Sequence, residues 1–127
     1  MVALFVNGEG MRGGAVHHNI EPFPFLGEAR TAACYRFLSV RDEFPAVVPV
    51  QSGGVEVPGE LYDVPLEVIG ERFMPDEPPE LELGVVRLAD ATHALGVVLR
   101  AEEAAAGRHR DISDRGGWRA YRRATEG

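Results

Sequence analysis

The chain has 127 residues, 45% of them hydrophobic, and a formal net charge of −7, which predicts one globular domain over residues 1–127 with its own core. This acidic balance argues against nucleic acid as a partner. No apolar run reaches the roughly 18 residues of a membrane span, so we expect neither a membrane partner nor a secretion signal, and a cytoplasmic location. The single cysteine, Cys34, excludes an internal disulfide. All basic residues are arginine, which excludes a Schiff-base or P-loop lysine.

The first half of the chain is typical of strands separated by glycine and proline. The apolar run 2–6 predicts a buried strand, and a glycine-rich loop follows at 8–14. Residues 15–24 are predicted to be irregular or a short helical turn. Small, aromatic and β-branched residues favour one long strand over 27–40. Two prolines make 43–50 an edge strand or extended segment, and alternation over 55–62 predicts another strand.

The second half adds short helices and two strands. A helix is predicted over 65–73, with Pro65 at its start and Leu66, Ile69 and Phe73 on one face. A proline-rich acidic loop follows at 74–82. Strands are predicted over 83–90 and 93–103, and a last helix over 111–123, capped by Asp111, Ser113 or Asp114. These elements add up to a small α+β domain with a mixed or antiparallel, barrel-like sheet.

The C-terminal tail, 107–127, differs in charge from the rest of the chain. It has six arginines and three acidic residues, so its formal charge is +3 while the remaining residues carry −10. Such a tail either docks on the acidic body or reaches for a partner. Trp118 and Tyr121 are three residues apart and give a helix one apolar face. We therefore expect a helical tail that packs against the body.

The glycine loop is the first candidate site. Glycines allow backbone N–H groups to approach a ligand, and successive N–H groups form a nest for an anion. The spacing, with Gly8, Gly10, Gly13 and Gly14, matches neither a Walker A loop nor GxGxxG. Considered alone, the loop is better explained as a tight turn.

Several other side chains offer chemistry without a decisive pattern. Glu77 and Glu80 lie in a proline-stiffened loop that could hold a carboxylate in a pocket and raise its pKa, although a solvated acidic loop explains these residues better on their own. His17 and His18 could supply a base, but adjacent histidines point apart, and we predict no metal site. Cys34 is predicted to be a small core residue.

Four motifs in order nevertheless resemble the γ-glutamylcyclotransferase-like family over about residues 2–100. The chain has NGEGMRG at 7–13, where the family has a YGTLMRG-like loop. FLGEARTAACYR at 25–36 and FPAVVP at 44–49 are similar to the next two motifs. VPGELYDVP at 57–65 is similar to the family's GELY segment. The later stretches LELGVVRLAD, at 81–90, and DISDRGGWRAY, at 111–121, resemble the C-terminal domain of allophanate hydrolases, which shares this fold.

The resemblance implies a small mixed β-barrel with short helices and no cofactor. It also implies a pocket in which loop N–H groups hold the carboxylate of a small-molecule substrate. In a cyclotransferase, a glutamate takes a proton from the substrate amine, which attacks its own γ-carbonyl and releases 5-oxoproline. By position that glutamate is Glu77, with Glu80 the neighbour to consider. Binding residues implied for the pocket are Asn7, Gly8, Glu9, Gly10, Met11, Arg12, Tyr35 and Tyr62.

The similarity to allophanate hydrolases implies other functions for the same pocket. One is decarboxylation of a small N-carboxylated urea compound, with His18 or His17 as acid/base and the loop N–H groups as anchors. Another is a catalytically silent binding or assembly module for an amidase partner. The apolar segment 22–27 also leaves a homodimer open. Because Glu9 places negative charge in the loop, we expect that Arg12 neutralises it or that it points outward.

Overall fold

The structure is a computed structural model that describes residues 1–126. Eight strands form one curled mixed sheet, and a few short helices pack around it. This architecture confirms the predicted α+β class. The strands are β1 Val2–Val6, β2 Phe25–Arg30, β3 Tyr35–Val40, β4 Phe44–Pro49, β5 Pro58–Val64, β6 Leu81–Arg87, β7 His93–Leu99 and β8 Arg110–Asp111.

The neighbours of strand β7 determine where the chain leaves the sheet after β1. One edge of β7 is covered along its whole length by β6, which runs antiparallel to it. The other edge is shared by two parallel neighbours, β1 beside Leu95 and Gly96, and β4 beside Val98. Since β4 occupies the edge along which β1 would continue, the chain has to leave the sheet after Val6. The glycine loop therefore begins where β1 and β4 diverge.

Two strand predictions in the first half are wrong in detail. The predicted long strand over 27–40 is divided into β2 and β3, because the chain turns between them after an isolated bridge from Thr31 to Leu88. The segment 43–50 contains β4, which lies between β7 and β3 in the sheet and is not an edge strand. Pro45 is tolerated there because it lies at the divergence, with its ring against Gly8 of the loop.

The predicted strand over 93–103 is too long. It ends at Leu99, and Ala101–Ala106 form helix α2, which closes on Gly107 in the left-handed conformation. The run AEEAAA has high intrinsic helix propensity. The strand pattern of the sequence continues past Leu99, but from Ala101 onward the helix propensity prevails.

The last helix, α3, spans Trp118–Glu126 and begins later than predicted. Gly116 and Gly117 have positive φ and form a turn just before it. The predicted caps bind elsewhere: Asp111 pairs with Arg36, and the Ser113 hydroxyl accepts the N–H of Phe37. Trp118 and Tyr121 are buried, which confirms that the tail packs against the body.

A continuous helical segment over 66–76 leads to the candidate site. It consists of helix α1, Leu66–Val68, a π-helical turn, Ile69–Phe73, and a 3-10 turn, Met74–Asp76. Ile69 and Phe73 are buried in the core as predicted, whereas Leu66 is 55% exposed. Within the described residues, no helix is long and apolar enough to cross a membrane.

Candidate functional site

A cavity of about 140 Å³ lies at the divergence of β1 and β4. The glycine loop forms one wall, and the end of the helical segment forms the opposite wall. Apolar side chains from the sheet close the rest. The lining residues are Val6, Asn7, Gly8, Glu9, Gly10, Ala15, Val16, Phe44, Pro45, Phe73, Asp76, Glu77, Pro78, Leu81 and Val97.

Glu77 lines this cavity and has a strongly raised pKa. Burial among apolar walls raises the pKa of Glu77 to about 7, and the negative charge of Asp76 adds to the effect. Its backbone N–H donates to the carbonyl of Met74 at 3.0 Å, which fixes the residue at the end of the 3-10 turn. No described side chain or backbone group hydrogen-bonds to its carboxyl group. At neutral pH this carboxyl group can therefore either give or take a proton.

Three N–H groups of the glycine loop belong to residues that line the same cavity as Glu77. Later N–H groups of the loop are used inside the protein, and they belong to Met11, Arg12, Gly14, Ala15 and Val16. Among the described residues, no protein acceptor is found for the N–H groups of Gly8, Glu9 and Gly10. These three residues line the cavity. Successive free N–H groups of this kind can bind an anion.

The Glu9 side chain accepts two hydrogen bonds from neutral groups within the protein. Its Oε2 accepts the indole N–H of Trp118 at 2.6 Å, and its Oε1 accepts the N–H of Ala15 at 3.0 Å. Arg12 does not pair with it. The expectation that Arg12 neutralises Glu9 is therefore wrong, and both carboxylate oxygens are occupied by neutral donors.

Arg12 pairs instead with Glu60, a buried carboxylate of β5. Glu60 accepts four hydrogen bonds, from the Arg12 N–H and Nε, from Arg119 and from the Tyr62 hydroxyl, at 2.9–3.0 Å. Burial alone would raise the pKa of Glu60, but these donors together lower it. The network ties the glycine loop to β5 and to α3.

The two predicted histidines lie outside the cavity walls. His17 Nδ1 donates to the carbonyl of Gly10 at 2.9 Å, because a carbonyl can only accept, so His17 supports the loop. His18 is exposed, and its Nε2 lies 3.6 Å from Asp76 Oδ2. Among the described residues, no group of three or more side chains is arranged to hold a metal ion.

Other predicted residues are distributed away from Glu77. Glu80 forms an ion pair with Arg41, which lowers its pKa and leaves it a poor proton donor at neutral pH. Tyr35 accepts the N–H of Arg87, while Tyr62 donates to Glu60. Of the predicted loop residues, the first four line the Glu77 cavity, whereas Met11 and Arg12 do not. Tyr35 and Tyr62 are also not among its lining residues.

Sequence reasoning missed the apolar walls and the contacts of α3. Phe73 packs close to Gly10, where a Cβ would lie 3.3 Å from its ring, so the helical segment supports the loop. Phe44, Leu81 and Val97 come from three different strands, and no local pattern marks them. Glu60 lies in the quoted GELY segment, and its charge within an apolar strand is the one feature that could have indicated a role.

A larger cleft of about 500 Å³ lies beside α3, with Arg30, Arg119 and Arg123 in its walls. The carboxyl group whose pKa is raised to about 7, that of Glu77, lines the smaller cavity instead. Strongly shifted pKa values concentrate at functional sites. We therefore place the candidate site in the smaller cavity, around Glu77.

Gly8→Ala should destabilise the protein by about 1–3 kcal/mol. A Cβ at Gly8 would lie 2.5 Å from Pro45 Cδ, so the loop or β4 must shift. Gly70→Ala is the matched control, because a Cβ there meets open space in a helical turn and should stabilise by up to about 1 kcal/mol. Chemical denaturation measures both. Equal stabilities for the two variants would contradict the packing of the loop on Pro45.

Comparisons with known proteins bear on the family and the fold of this chain. The model of the allophanate hydrolase C-terminal domain matches residues 2–123. A crystal structure of a uropathogenic E. coli-specific protein is similar, with 34% identity, 94% of each chain covered and a TM-score of 0.85. No curated protein sequence matches the chain.

Two longer Kluyveromyces lactis proteins contain a similar fold. Allophanate hydrolase is 23% identical, with a TM-score of 0.86, and the match covers 98% of this chain and 21% of the hydrolase. Urea amidolyase is 22% identical, with a TM-score of 0.86, and the match covers 99% of this chain and 8% of that protein. At these identities the two structures support the fold alone. The domain match over residues 2–123, together with the curled sheet, shows that this chain belongs to the allophanate hydrolase C-terminal domain family.

Proposed function

We propose that this protein decarboxylates a small N-carboxylated urea compound, such as allophanate, and that Glu77 supplies the proton. The observation that carries the proposal is a half-buried carboxyl group with a pKa of about 7, in a small cavity that is also lined by three residues whose N–H groups have no acceptor among the described residues. Membership of the family supports the class of substrate. The sequence predicts one pocket formed by the glycine loop and Glu77, and that pocket remains part of the proposal. Glu77, and not His17 or His18, is the proposed proton donor.

The proposed step needs only one proton. The N–H groups of Gly8, Glu9 and Gly10 hold a carboxylate or carbonyl oxygen of the substrate. The bond between the carboxylate carbon and nitrogen breaks, CO₂ leaves, and the electron pair stays on nitrogen. Glu77 donates its proton to that nitrogen, so that allophanate gives urea and CO₂, and solvent then reprotonates Glu77. Apolar walls favour a neutral carboxyl group and exclude competing water.

A γ-glutamylcyclotransferase reaction is the second candidate, since Glu77 could also accept a proton from a substrate amine. The size of the cavity favours the decarboxylation over the cyclotransferase reaction. Pockets for drug-sized ligands have volumes of roughly 300–1,000 Å³, whereas this one is about 140 Å³. Such a space suits a compound of the size of allophanate better than a γ-glutamyl dipeptide.

A non-catalytic role in an amidase assembly is the third candidate. The solved relatives named allophanate hydrolase and urea amidolyase carry this fold as a small part of much longer chains. An amidase that supplies the N-carboxylated compound would be a natural partner for the proposed activity as well.

The test is a turnover assay with purified protein. We expect CO₂ release from allophanate above the spontaneous rate, and a loss of at least about 100-fold in Glu77→Gln, as is usual when a general acid is removed. Glu80→Gln is the comparison variant, because Glu80 is a neighbouring carboxylate already paired with Arg41. It should retain turnover. Equal losses in both variants, or none in Glu77→Gln, would contradict the assignment.

The pH profile of the same assay separates the candidates. A proton donor must be protonated, so decarboxylation should fall as pH rises through the Glu77 pKa of about 7. A cyclotransferase base must be ionised, and 5-oxoproline release from γ-glutamyl amides would instead rise through that pKa. No turnover with either substrate class would favour the assembly module, and co-elution with a co-expressed amidase would then be the next measurement.

A further inference from the structure

Helix α3 makes one of its two shortest hydrogen bonds with the glycine loop. Trp118, the only tryptophan of the chain, is buried at the start of the helix. Its indole N–H donates to Glu9 Oε2 at 2.6 Å, across 109 residues of sequence. A hydrogen bond from a buried donor to a carboxylate is among the stronger kinds in proteins. The C-terminal helix therefore holds a residue that lines the Glu77 cavity.

Glu9 carries this contact into the rest of the loop. Its Oε1 accepts the N–H of Ala15 at 3.0 Å, and its backbone carbonyl accepts the N–H of Val16 at 3.1 Å. The first and last parts of the loop are thus fastened to each other through one residue. Meanwhile the backbone N–H of Glu9 has no protein acceptor among the described residues and remains available in the cavity.

The next residue of α3 holds a second point of the loop. Arg119 Nη2 donates to the carbonyl of Arg12 at 2.7 Å and to Glu60 Oε2 at 3.0 Å. Glu60 in turn accepts the N–H of Arg12 at 2.9 Å. Adjacent residues of one helix thus fix the loop on both sides of Gly10.

We propose that Glu9 and Trp118 form a latch by which α3 holds the glycine loop in its ligand-binding conformation. Both are positioning residues, because they act through the loop and not on the reacting atoms. The latch explains a glutamate in a loop that binds an anion: its carboxylate is hydrogen-bonded to Trp118, while its backbone N–H has no protein acceptor among the described residues. Without Trp118, that carboxylate would be free to repel the substrate. The inference rests on the proposed function of the loop.

Trp118→Phe tests the latch, since it removes the N–H and keeps an aromatic ring. Tyr121→Phe is the matched control: it also removes one hydrogen bond from a buried aromatic residue of α3 to a carboxylate, here Asp42 Oδ1 at 2.6 Å, away from the glycine loop. We expect the Ala15 and Val16 amides to exchange hydrogen at least about tenfold faster in Trp118→Phe than in Tyr121→Phe. Glu9→Ala removes the acceptor of the Ala15 amide itself, so only the Val16 amide, which donates to the Glu9 backbone carbonyl, is compared there. Its exchange should match that in Trp118→Phe, and the double variant should add little. Equal exchange in the two aromatic variants would overturn the latch.

Binding of malonamate provides the readout that a purely structural role would not change. This compound has CH₂ in place of the central nitrogen of allophanate, so it cannot undergo the proposed proton transfer. Its dissociation constant should rise at least about tenfold in Trp118→Phe and stay within twofold in Tyr121→Phe. Equal affinities in both would contradict the positioning role. If malonamate does not bind the unmodified protein, the proposed anchoring of substrate fails, and amide exchange still decides whether the latch holds the loop.

Discussion

Glu77→Gln is expected to raise the free energy of unfolding by about 2–3 kcal/mol at pH 8.5 and to change it little at pH 4. The pKa of Glu77 is raised from 4.5 to about 7 by burial and by Asp76. A raised carboxyl pKa means that the folded state binds the proton more tightly than the unfolded state. Stability due to this group is therefore lost as pH rises from 4.5 to 7, and the full cost is present above pH 7. Glutamine has nearly the same shape and no charge, so it removes that cost.

Guanidinium denaturation from pH 4 to pH 8.5 measures this effect. Glu67→Gln is a suitable control, because Glu67 is an exposed carboxylate of the same helical segment. The difference between Glu77→Gln and the unmodified protein should grow between pH 4.5 and 7 and then stay constant. A difference independent of pH would show that Glu77 is not held in a buried, high-pKa environment, and the proposed proton donor would be lost with it.

Glu60→Ala is expected to destabilise the protein by about 3 kcal/mol at pH 7. The Glu60 side chain is 1% exposed and accepts hydrogen bonds from Arg12, Arg119 and Tyr62. Alanine would leave the Tyr62 hydroxyl without its acceptor and would leave a cavity in β5. Both arginines reach solvent, with side chains 54% and 43% exposed, so their charges can be rehydrated. The loss of stability therefore comes mainly from lost hydrogen bonds and packing, and less from arginine charges left without a partner.

The pH dependence of Glu60 has the opposite sign to that of Glu77. Its donors lower the pKa of Glu60 below 4.5 despite burial, so the folded state favours the carboxylate. The stability it contributes is present above pH 4.5 and is lost as pH falls through its folded pKa. Glu60→Gln keeps the shape and should cost less than Glu60→Ala. Thermal or guanidinium unfolding at pH 7 compares the two, and a variant Glu60→Ala as stable as the unmodified protein would contradict the network.

Glu77 and Glu60 illustrate a property that the sequence does not determine, namely the partners of a carboxylate. Glu77 was predicted as the acid/base of a pocket, and the structure places it in the same cavity as the glycine loop; its catalytic role is a proposal. Glu60, in the quoted GELY segment, was assigned no role. Both are glutamates near apolar residues, and only their partners distinguish them. One faces apolar walls and Asp76, while the other faces two arginines and a tyrosine.

Local patterns predicted most elements but placed several boundaries wrongly. Alternation and apolar runs identified the strands around Val2–Val6, Pro58–Val64 and His93–Leu99, because their side-chain periodicity is set by the pleat. Three features were not predicted: the division between β2 and β3, the start of α3 after Gly117, and the whole of α2. In each case a turn conformation or a helix propensity competes with the strand pattern, and the sequence alone does not show which prevails.

By itself, the sequence determined the α+β class, the succession of most strands along the chain, the glycine loop and the motifs that resemble this family. Those properties depend on periodicity and on local backbone preferences, which neighbouring residues carry. The tertiary structure alone decided that β4 takes the edge of β7 beside β1, which opens the cavity. It alone also decided that Trp118 fastens Glu9, 109 residues away. Burial and charge partners come from residues distant in sequence, so the pKa values and hydrogen bonds that define the candidate site arise only once the chain has folded.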